Sequence, residues 1–135
     1  MGEGVLWHLL AMFLHGNVWH LMGNMLVFWL LRRPLYLGAG LVIGFLCSWL
    51  PTVGFEGVTV GFSGVLFGIV GVKWGVWSHR CRCGTATYWT MMKRVGPFLA
   101  VGVLLPGVDW CLHVYCFVVG VIFGAASLMR HRRTG

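Results

Sequence analysis

Residues 60–77 read VGFSGVLFGIVGVKWGVW, an apolar stretch of about the length that crosses a lipid bilayer. Lys73 is its one charged residue. Glycines at positions 64, 68, 71 and 75 recur at spacings of three and four residues, which places them along one side of a helix. Small residues at this spacing let helix backbones approach each other closely in lipid. The stretch therefore predicts a membrane-spanning helix packed tightly against a neighbour.

A second stretch, residues 109–129, reads DWCLHVYCFVVGVIFGAASLM and carries the same kind of repeat. Small residues recur there at intervals of four, at positions 116, 120 and 124. Close approach of two helices in lipid requires small residues on both of them. The two sequences therefore allow these helices to approach each other closely. The expected packing residues are Gly68, Gly71, Cys116, Gly120 and Gly124.

The composition of the whole chain also indicates a membrane protein. Of its 135 residues, 59% are hydrophobic and only 10% are charged, whereas a soluble domain is about 45–50% apolar and about 25% charged. So few charges cannot cover a folded surface in water, which argues against a soluble enzyme, a nucleic-acid-binding protein or a disordered tail. The 21 glycines follow no Gly-X-Y repeat, so the chain is not collagen-like.

The apolar segments predict an all-α protein, a polytopic transmembrane helical bundle with about five spans. The predicted spans are residues 17–33, 35–50, 60–77, 88–106 and 109–129, preceded by a short apolar piece at 4–14. No linker or repeat divides the chain, so residues 1–135 are expected to form a single domain. The N-terminus is not expected to be a signal peptide, because its only early charge is Glu3, where a signal peptide carries Lys or Arg.

The net charge of +7 is explained by where the charges fall. Five spans place the two chain ends on opposite sides of a membrane, and nine of the ten Lys and Arg residues then lie on one side. The three acidic residues, Glu3, Glu56 and Asp109, lie on the other. Basic loops are retained on the cytoplasmic side. We therefore expect a multi-pass protein in contact with the lipid bilayer, with its C-terminus on the cytosolic or matrix side and no nucleic-acid partner. A bacterial cell membrane and a mitochondrial inner membrane both fit this pattern.

Four polar side chains fall inside the predicted spans, where they are costly unless paired: His20, Asn24, Ser63 and His113. Each has an ordinary interpretation when taken alone. A serine in a transmembrane helix usually bonds its own backbone, and a histidine or asparagine usually joins two helices. The predicted topology, however, places all four at one depth below the acid-bearing face. A hydroxyl, two imidazoles and an amide at one level suffice for a nucleophile, a base and oxyanion donors.

Two short motifs contain three of these side chains. His20 and Asn24 form H-x-x-x-N within residues 13–25, FLHGNVWHLMGNM, and Ser63 is the centre of G-x-S-G at residues 61–64. Both motifs resemble those of the rhomboid intramembrane serine proteases. In that family H-x-x-x-N lies on the second transmembrane helix, and G-x-S-G holds the nucleophile.

The resemblance extends to the end of the chain and covers about residues 10–129. Phe67 matches the aromatic residue that stacks on the family's catalytic histidine, and His113 matches that histidine. Gly120 matches the second glycine of the G-x-x-x-G that follows it, with Cys116 in the place of the first. The family's usual core has six helices, and we expect this chain to begin at the second of them, unless a remnant of the first helix lies in residues 1–14.

The resemblance implies an intramembrane serine endopeptidase that cuts transmembrane protein substrates and uses no cofactor or metal. In it, Ser63 is the nucleophile and His113 is the base. His20, Asn24 and the Ser63 backbone N–H hold the oxyanion. The supporting residues that it implies are Gly61, Gly64, Phe67 and His15. This chemistry requires that Ser63 Oγ and the His113 ring lie about 3 Å apart.

A second function class stays open beside the protease. A catalytically inactive rhomboid-like protein would bind transmembrane helices or act as a structural subunit of a membrane complex. The absent first helix favours that alternative and predicts a partner subunit in its place. The complete pair of Ser63 and His113 favours the enzyme, because a binding protein has no need of both.

Two further groups of residues are interpreted as structural. Asp109 precedes His113 by four residues, and we expect it to cap the last helix rather than to complete a catalytic triad. His79, Cys81 and Cys83 supply too few ligands for a zinc site. No metal site is therefore expected.

Overall fold

In the residues that it describes, the computed structural model of the chain consists mainly of α-helices. It describes residues 4–11, 13, 18–31, 36–51, 53, 62–80, 85–104 and 109–134. The helices are α1 (Val5–Ala11), α2 (Val18–Leu31), α3 (Leu37–Cys47), α4 (Ser63–Arg80), α5 (Thr85–Leu104) and α6 (Trp110–Thr134). No strand occurs within the described ranges, and the all-α class expected from the sequence is confirmed.

The helix ends differ from the ends of the apolar segments. α4 begins at Ser63 rather than at residue 60, and α5 begins at Thr85 rather than at residue 88. α5 also continues through Pro97, which removes one helical hydrogen bond without ending the helix. α6 extends past the apolar run to Thr134, because the Met and Arg residues there favour a helix and no Pro or Gly interrupts it.

Length and apolar composition together distinguish α6 from its neighbours, since α4 and α5 have 18 and 20 residues but do not combine that length with a sufficiently apolar composition. Its segment Trp110–Arg130 is long and apolar enough to cross a membrane, and it is the one such segment within the described part of the chain. α2 and α3 are about 21 and about 16 Å long, from 1.5 Å per residue, against a hydrocarbon layer of about 30 Å. The expectation of about five spans therefore stays a prediction.

α4 is the central helix of the fold. Its residues from Ser63 to Val72 are all buried, as is typical of a helix surrounded by others. α6 makes the most extensive contact with it, and α3 the next. Val65 and Ile69 of α4 pack against apolar side chains of α3, whereas Phe67 of α4 belongs to the core cluster that includes residues of α6.

The glycine repeats form the contact between α4 and α6. On α4, a Cβ added to Gly71 or Gly75 would overlap a carbonyl oxygen of α6, that of Phe117 or Val121 respectively. On α6, a Cβ added to Gly120 or Gly124 would meet the carbonyl oxygen of Gly68 or Val72. The contacts advance along both helices in the same direction, so α4 and α6 run parallel with their backbones touching.

Two of the expected packing residues make contacts that the spacing alone does not predict. Gly68 faces α3, since a Cβ there would lie 3.3 Å from Ile43 Cγ2, and only its carbonyl oxygen meets α6. Cys116 is fully buried, and its Sγ would lie 3.4 Å from a Cβ on Gly64. A cysteine therefore fits in place of a glycine on α6 because its neighbour on α4 has no side chain.

α1 is held against the C-terminal end of α3 by its one polar side chain. His8 is buried, and its Nδ1 lies 2.8 Å from Ser48 Oγ. The Ser48 hydroxyl donates to the Phe45 carbonyl at 2.6 Å, so His8 Nδ1–H is the donor to Ser48. The His8 ring stacks on Trp49 with centroids 3.7 Å apart. α1 thus turns its polar residue inward, while Leu6 and other apolar residues are exposed.

We predict that Gly124→Ala destabilises the fold, because the added methyl group would overlap the Val72 carbonyl and force α4 and α6 apart. The expected cost is about 1–3 kcal/mol, the usual range for overpacking. Gly38→Ala on α3 is the matched control, since its Cβ would meet nothing within 4 Å and alanine favours a helix by up to about 1 kcal/mol. Thermal unfolding in detergent measures both, and equal stability of the two variants would contradict the close contact.

Candidate active site

Ser63 and His113 are brought together by the contact between α4 and α6. Ser63 is the first residue of α4, and His113 lies in the first turn of α6. Because the two helices are parallel, these first turns lie at the same end of the bundle. His113 Nε2 is 2.8 Å from Ser63 Oγ, although the two residues are 50 positions apart in sequence. This is the hydrogen-bond distance at which a histidine accepts the proton of a serine nucleophile.

The pair lies in an apolar environment. Ser63 is 8% exposed and His113 is 2% exposed. Leu112 packs directly beside Gly64, where a Cβ would lie 3.3 Å from its Cδ2. The missing side chain at Gly64 therefore lets the first turn of α6 come close to Ser63, and the low local dielectric strengthens the hydrogen bond of the pair.

Aromatic rings fix the plane of the His113 imidazole. The Phe67 ring, one turn beyond Ser63, stacks on it with centroids 4.2 Å apart and planes within 5°. Phe67 in turn stacks with Phe98 of α5, at a centroid distance of 4.6 Å and an angle of 25°. Phe67 was expected at this place. Phe98 was not, because nothing in the sequence separates it from the other aromatic residues of the apolar segments.

Asp109 has the geometry of a helix N-cap. It is buried, and its Oδ1 accepts the Leu112 N–H at 3.0 Å. Its backbone carbonyl accepts the His113 N–H at 3.3 Å. Both contacts hold the first turn of α6, which carries His113, in its helical shape.

The residues expected to hold an oxyanion are described in part. Asn24 lies on α2 and is buried. His20 is on the same helix, but its side chain lies outside the described part of the structure, as do residues His15 and Gly61 altogether. Of the proposed oxyanion donors, the structure thus gives the positions of the Asn24 side chain and of the Ser63 backbone.

An apolar pocket of about 320 Å³ lies between α2, the first residue of α3 and Phe62, and neither Ser63 nor His113 is among its lining residues. Phe62, which directly precedes Ser63, forms one side of it, and Asn24 is the polar residue in its wall. The lining residues are Phe13, Leu21, Asn24, Met25, Phe28, Leu37 and Phe62. A concave, mostly apolar pocket with one polar group is typical of a site that binds an apolar segment in a defined orientation.

Metal-ligating side chains do not cluster in the described residues. No group of three or more His, Cys, Asp or Glu side chains is close enough there to hold a metal ion. Cys47, Cys111 and Cys116 are buried free thiols. Cys81 and Cys83, which the sequence raised as metal candidates, lie outside the described residues.

We predict that Asp109→Asn keeps the stability of the fold, whereas Asp109→Ala loses about 0.5–2 kcal/mol. Asparagine retains an oxygen that accepts the Leu112 N–H, and alanine does not. The midpoint of thermal unfolding in detergent measures both variants. If Asp109→Ala unfolds at the same temperature as the unmodified chain, Asp109 is not the cap of α6.

Comparisons with known proteins leave the site to be judged from its own geometry. No family model, no curated protein and no solved structure matches the chain. The function of the chain is therefore inferred from the arrangement of Ser63, His113 and Phe67.

Proposed function

We propose that the chain is a rhomboid-type intramembrane serine endopeptidase with Ser63 as nucleophile and His113 as base. The observation that carries this proposal is the 2.8 Å hydrogen bond between Ser63 Oγ and His113 Nε2. Other helical serines of the chain bond their own backbone: Ser78 Oγ donates to the Gly75 carbonyl and Ser127 Oγ to the Gly124 carbonyl. Ser63 instead meets a basic nitrogen, which is the contact that activates a hydroxyl for attack.

The reaction begins with attack of Ser63 Oγ on the carbonyl carbon of a peptide bond. The Ser63 proton passes to His113 Nε2 as the new C–O bond forms, and the carbonyl oxygen becomes an oxyanion. The oxyanion lies at the N-terminal end of α4, where the first N–H groups of a helix lack intrahelical partners and the helix dipole is positive. The Ser63 N–H supplies one of its hydrogen bonds, and the family resemblance implies Asn24 and His20 as the other donors.

The second half of the reaction releases the two products. His113 gives its proton to the leaving amine as the peptide C–N bond breaks, which leaves an ester on Ser63. A water molecule then attacks the ester carbonyl carbon and transfers a proton to His113. That proton returns to Ser63 Oγ as the carboxylic acid product leaves, and the pair is restored.

A membrane environment for α2–α6 is supported by the distribution of side chains. Large apolar residues are exposed on the outside of the bundle, including Trp19 at 76% and Ile122 at 63%. Four polar residues of these helices and their ends are instead buried: Asn24, Ser63, Asp109 and His113. This is the reverse of a soluble protein, and it suits a bundle whose surroundings are lipid. The five helices, with their flanking residues, form the proposed spans.

The charged residues give the proposed orientation. Asp109 directly precedes α6, at the end of the bundle where α4 and α6 begin. Arg80 and Arg130 lie near the opposite, C-terminal ends of the same two parallel helices. By the positive-inside rule the arginine end faces the cytosol or matrix. The serine then lies near the outer face, and the substrate is a transmembrane protein cut close to its outer end.

We predict that a fluorophosphonate probe labels the detergent-solubilised protein and that Ser63→Ala abolishes the labelling. The probe reacts with serines whose hydroxyl is activated by a base, so His113→Ala should slow labelling by roughly 10³-fold or more. Ser127→Ala is a matched control, since that hydroxyl bonds its own helix. In-gel fluorescence measures the rates.

Labelling that persists in Ser63→Ala would overturn the assignment of the nucleophile. If the unmodified protein stays unlabelled while its thermal unfolding remains cooperative, the protease proposal fails. The apolar pocket beside Phe62 would then support the alternative, a rhomboid-like protein that binds transmembrane helices without cleaving them.

The orientation predicts opposite results for two fusions to alkaline phosphatase, an enzyme that needs disulfides and therefore an oxidising compartment. Fused after Val53, beyond the end of α3, the reporter should be active in a bacterial host. Fused after Thr134, at the end of α6, it should be inactive. The same activity in both fusions would contradict an odd number of membrane crossings between the two points.

A further inference from the structure

We infer that Phe98 of α5 is a positioning residue for the base His113, and that it acts through Phe67. This inference rests on the proposed function, because it concerns the base of the same reaction. It links α5 to the Ser63–His113 pair, although α5 carries none of the residues that the sequence motifs contain.

Three aromatic rings lie in continuous contact, with Phe67 in the middle. The His113 imidazole and the Phe67 ring are nearly parallel, with 5° between their planes and their centroids 4.2 Å apart. Phe67 and Phe98 stack at 25° with centroids 4.6 Å apart. Both separations lie within or close to the range in which stacked aromatic pairs attract each other beyond simple burial. The three rings belong to three different helices, α6, α4 and α5.

The stack sets the plane of the His113 ring. The contact between Nε2 and Ser63 Oγ sets the distance between these two atoms and does not by itself set the tilt of the imidazole. The face of Phe67 fixes the plane of the ring. Phe67 holds that plane only if its own ring is held, and Phe98 is a stacking partner that holds it.

Phe98 is also a residue through which α5 packs against the core. α5 has far less contact with the bundle than α3 or α6 has with α4. Among the α5 side chains that the structure describes, Phe98 and Leu99 pack against the core cluster that includes Phe67, Leu112 and Cys116. Pro97, directly before Phe98, leaves α5 one helical hydrogen bond short. A shift of α5 would therefore be passed to the His113 ring through Phe98 and Phe67.

A positioning role and a packing role for Phe98 differ in what they predict. If Phe98 only fills space, its removal lowers stability, and any comparable loss of packing on α5 has the same effect. If it positions His113, loss of the ring slows the reaction at Ser63 more than loss of equal volume nearby. A misplacement of about 1 Å in a catalytic group lowers the rate by about 10²-fold. Another aromatic ring at position 98 would hold Phe67 in the same way and would restore the rate.

The test compares Phe98→Leu, Phe98→Tyr and the packing control Leu99→Ala in the full chain. For each variant, the saturable reaction with a fluorophosphonate gives a maximal inactivation rate and an apparent affinity for the probe, and thermal unfolding gives the stability. We expect Phe98→Leu to lower the maximal rate by about 10-fold or more with little change in affinity. Phe98→Tyr should restore the maximal rate. Leu99→Ala should lower the stability of the fold and leave the maximal rate unchanged.

A double-mutant cycle tests the route through Phe67. Because Phe98 acts on His113 only through that ring, adding Phe98→Leu to Phe67→Leu should have no further effect on the maximal rate. Additive effects of the two substitutions would overturn the route. A Phe98→Leu rate equal to that of the unmodified chain, or an equal loss of rate in Leu99→Ala, would overturn the positioning role.

Histidine ¹⁵N NMR separates this inference from the proposed function. The Nε2 shift of His113, assigned by its loss in His113→Ala, reports the hydrogen bond to Ser63 whether or not the protein reacts with the probe. We expect the shift to move in Phe98→Leu and to return in Phe98→Tyr. If the unmodified protein is unreactive but the shift moves as expected, only the protease proposal fails. An unchanged shift in Phe98→Leu overturns the inference itself.

Discussion

The backbone contact between α4 and α6 is the constraint on which the rest of the structure depends. Gly71 of α4 and Gly120 of α6 leave no room for a side chain between the helices. In lipid, where apolar surface gains little by leaving the solvent, such close packing is what draws helices together. The contact also fixes their register. A slip of one residue would turn α6 by about 100° and move it by about 1.5 Å, which would break the 2.8 Å contact between Ser63 and His113.

The distribution of polarity follows from the same contact. Once α4 is enclosed, the polar groups at its N-terminal end are enclosed with it, and Ser63 and His113 must satisfy each other inside the bundle. The apolar side chains are left to face outward, as Trp29 and Phe123 do. In water this arrangement would expose much apolar surface and bury polar groups. In a bilayer the outward apolar side chains contact lipid tails, and the enclosed polar groups are kept away from the hydrocarbon. The membrane proposed for this chain is therefore the environment that suits the fold.

The sequence predicts the parts of the structure that have a periodic signature. Small residues at intervals of three and four show that α4 and α6 can each approach a neighbour closely, whereas the proximity of Ser63 to His113 is an expectation that comes from the family resemblance and not from the spacing. The start of α4 at Ser63 could not be derived from the sequence, because an apolar run reports what faces lipid and not where helical hydrogen bonds begin. The contacts of Phe98 and His8 depend on tertiary neighbours, and their local sequence does not distinguish them from ordinary apolar-segment residues.

The two function classes differ most in how they account for the buried pair. A protein that only binds transmembrane helices gains little stability from it, since a hydrogen bond between helices in a membrane contributes on average only about 0.6 kcal/mol. Two apolar residues of similar shape would do as well without burying polar atoms. The hydroxyl of Ser63 also stands at the positive end of α4, where an oxyanion would be stabilised. The proposed enzyme would use both this position and the contact with His113, whereas a binding protein would use neither, which is why the enzyme is the stronger proposal.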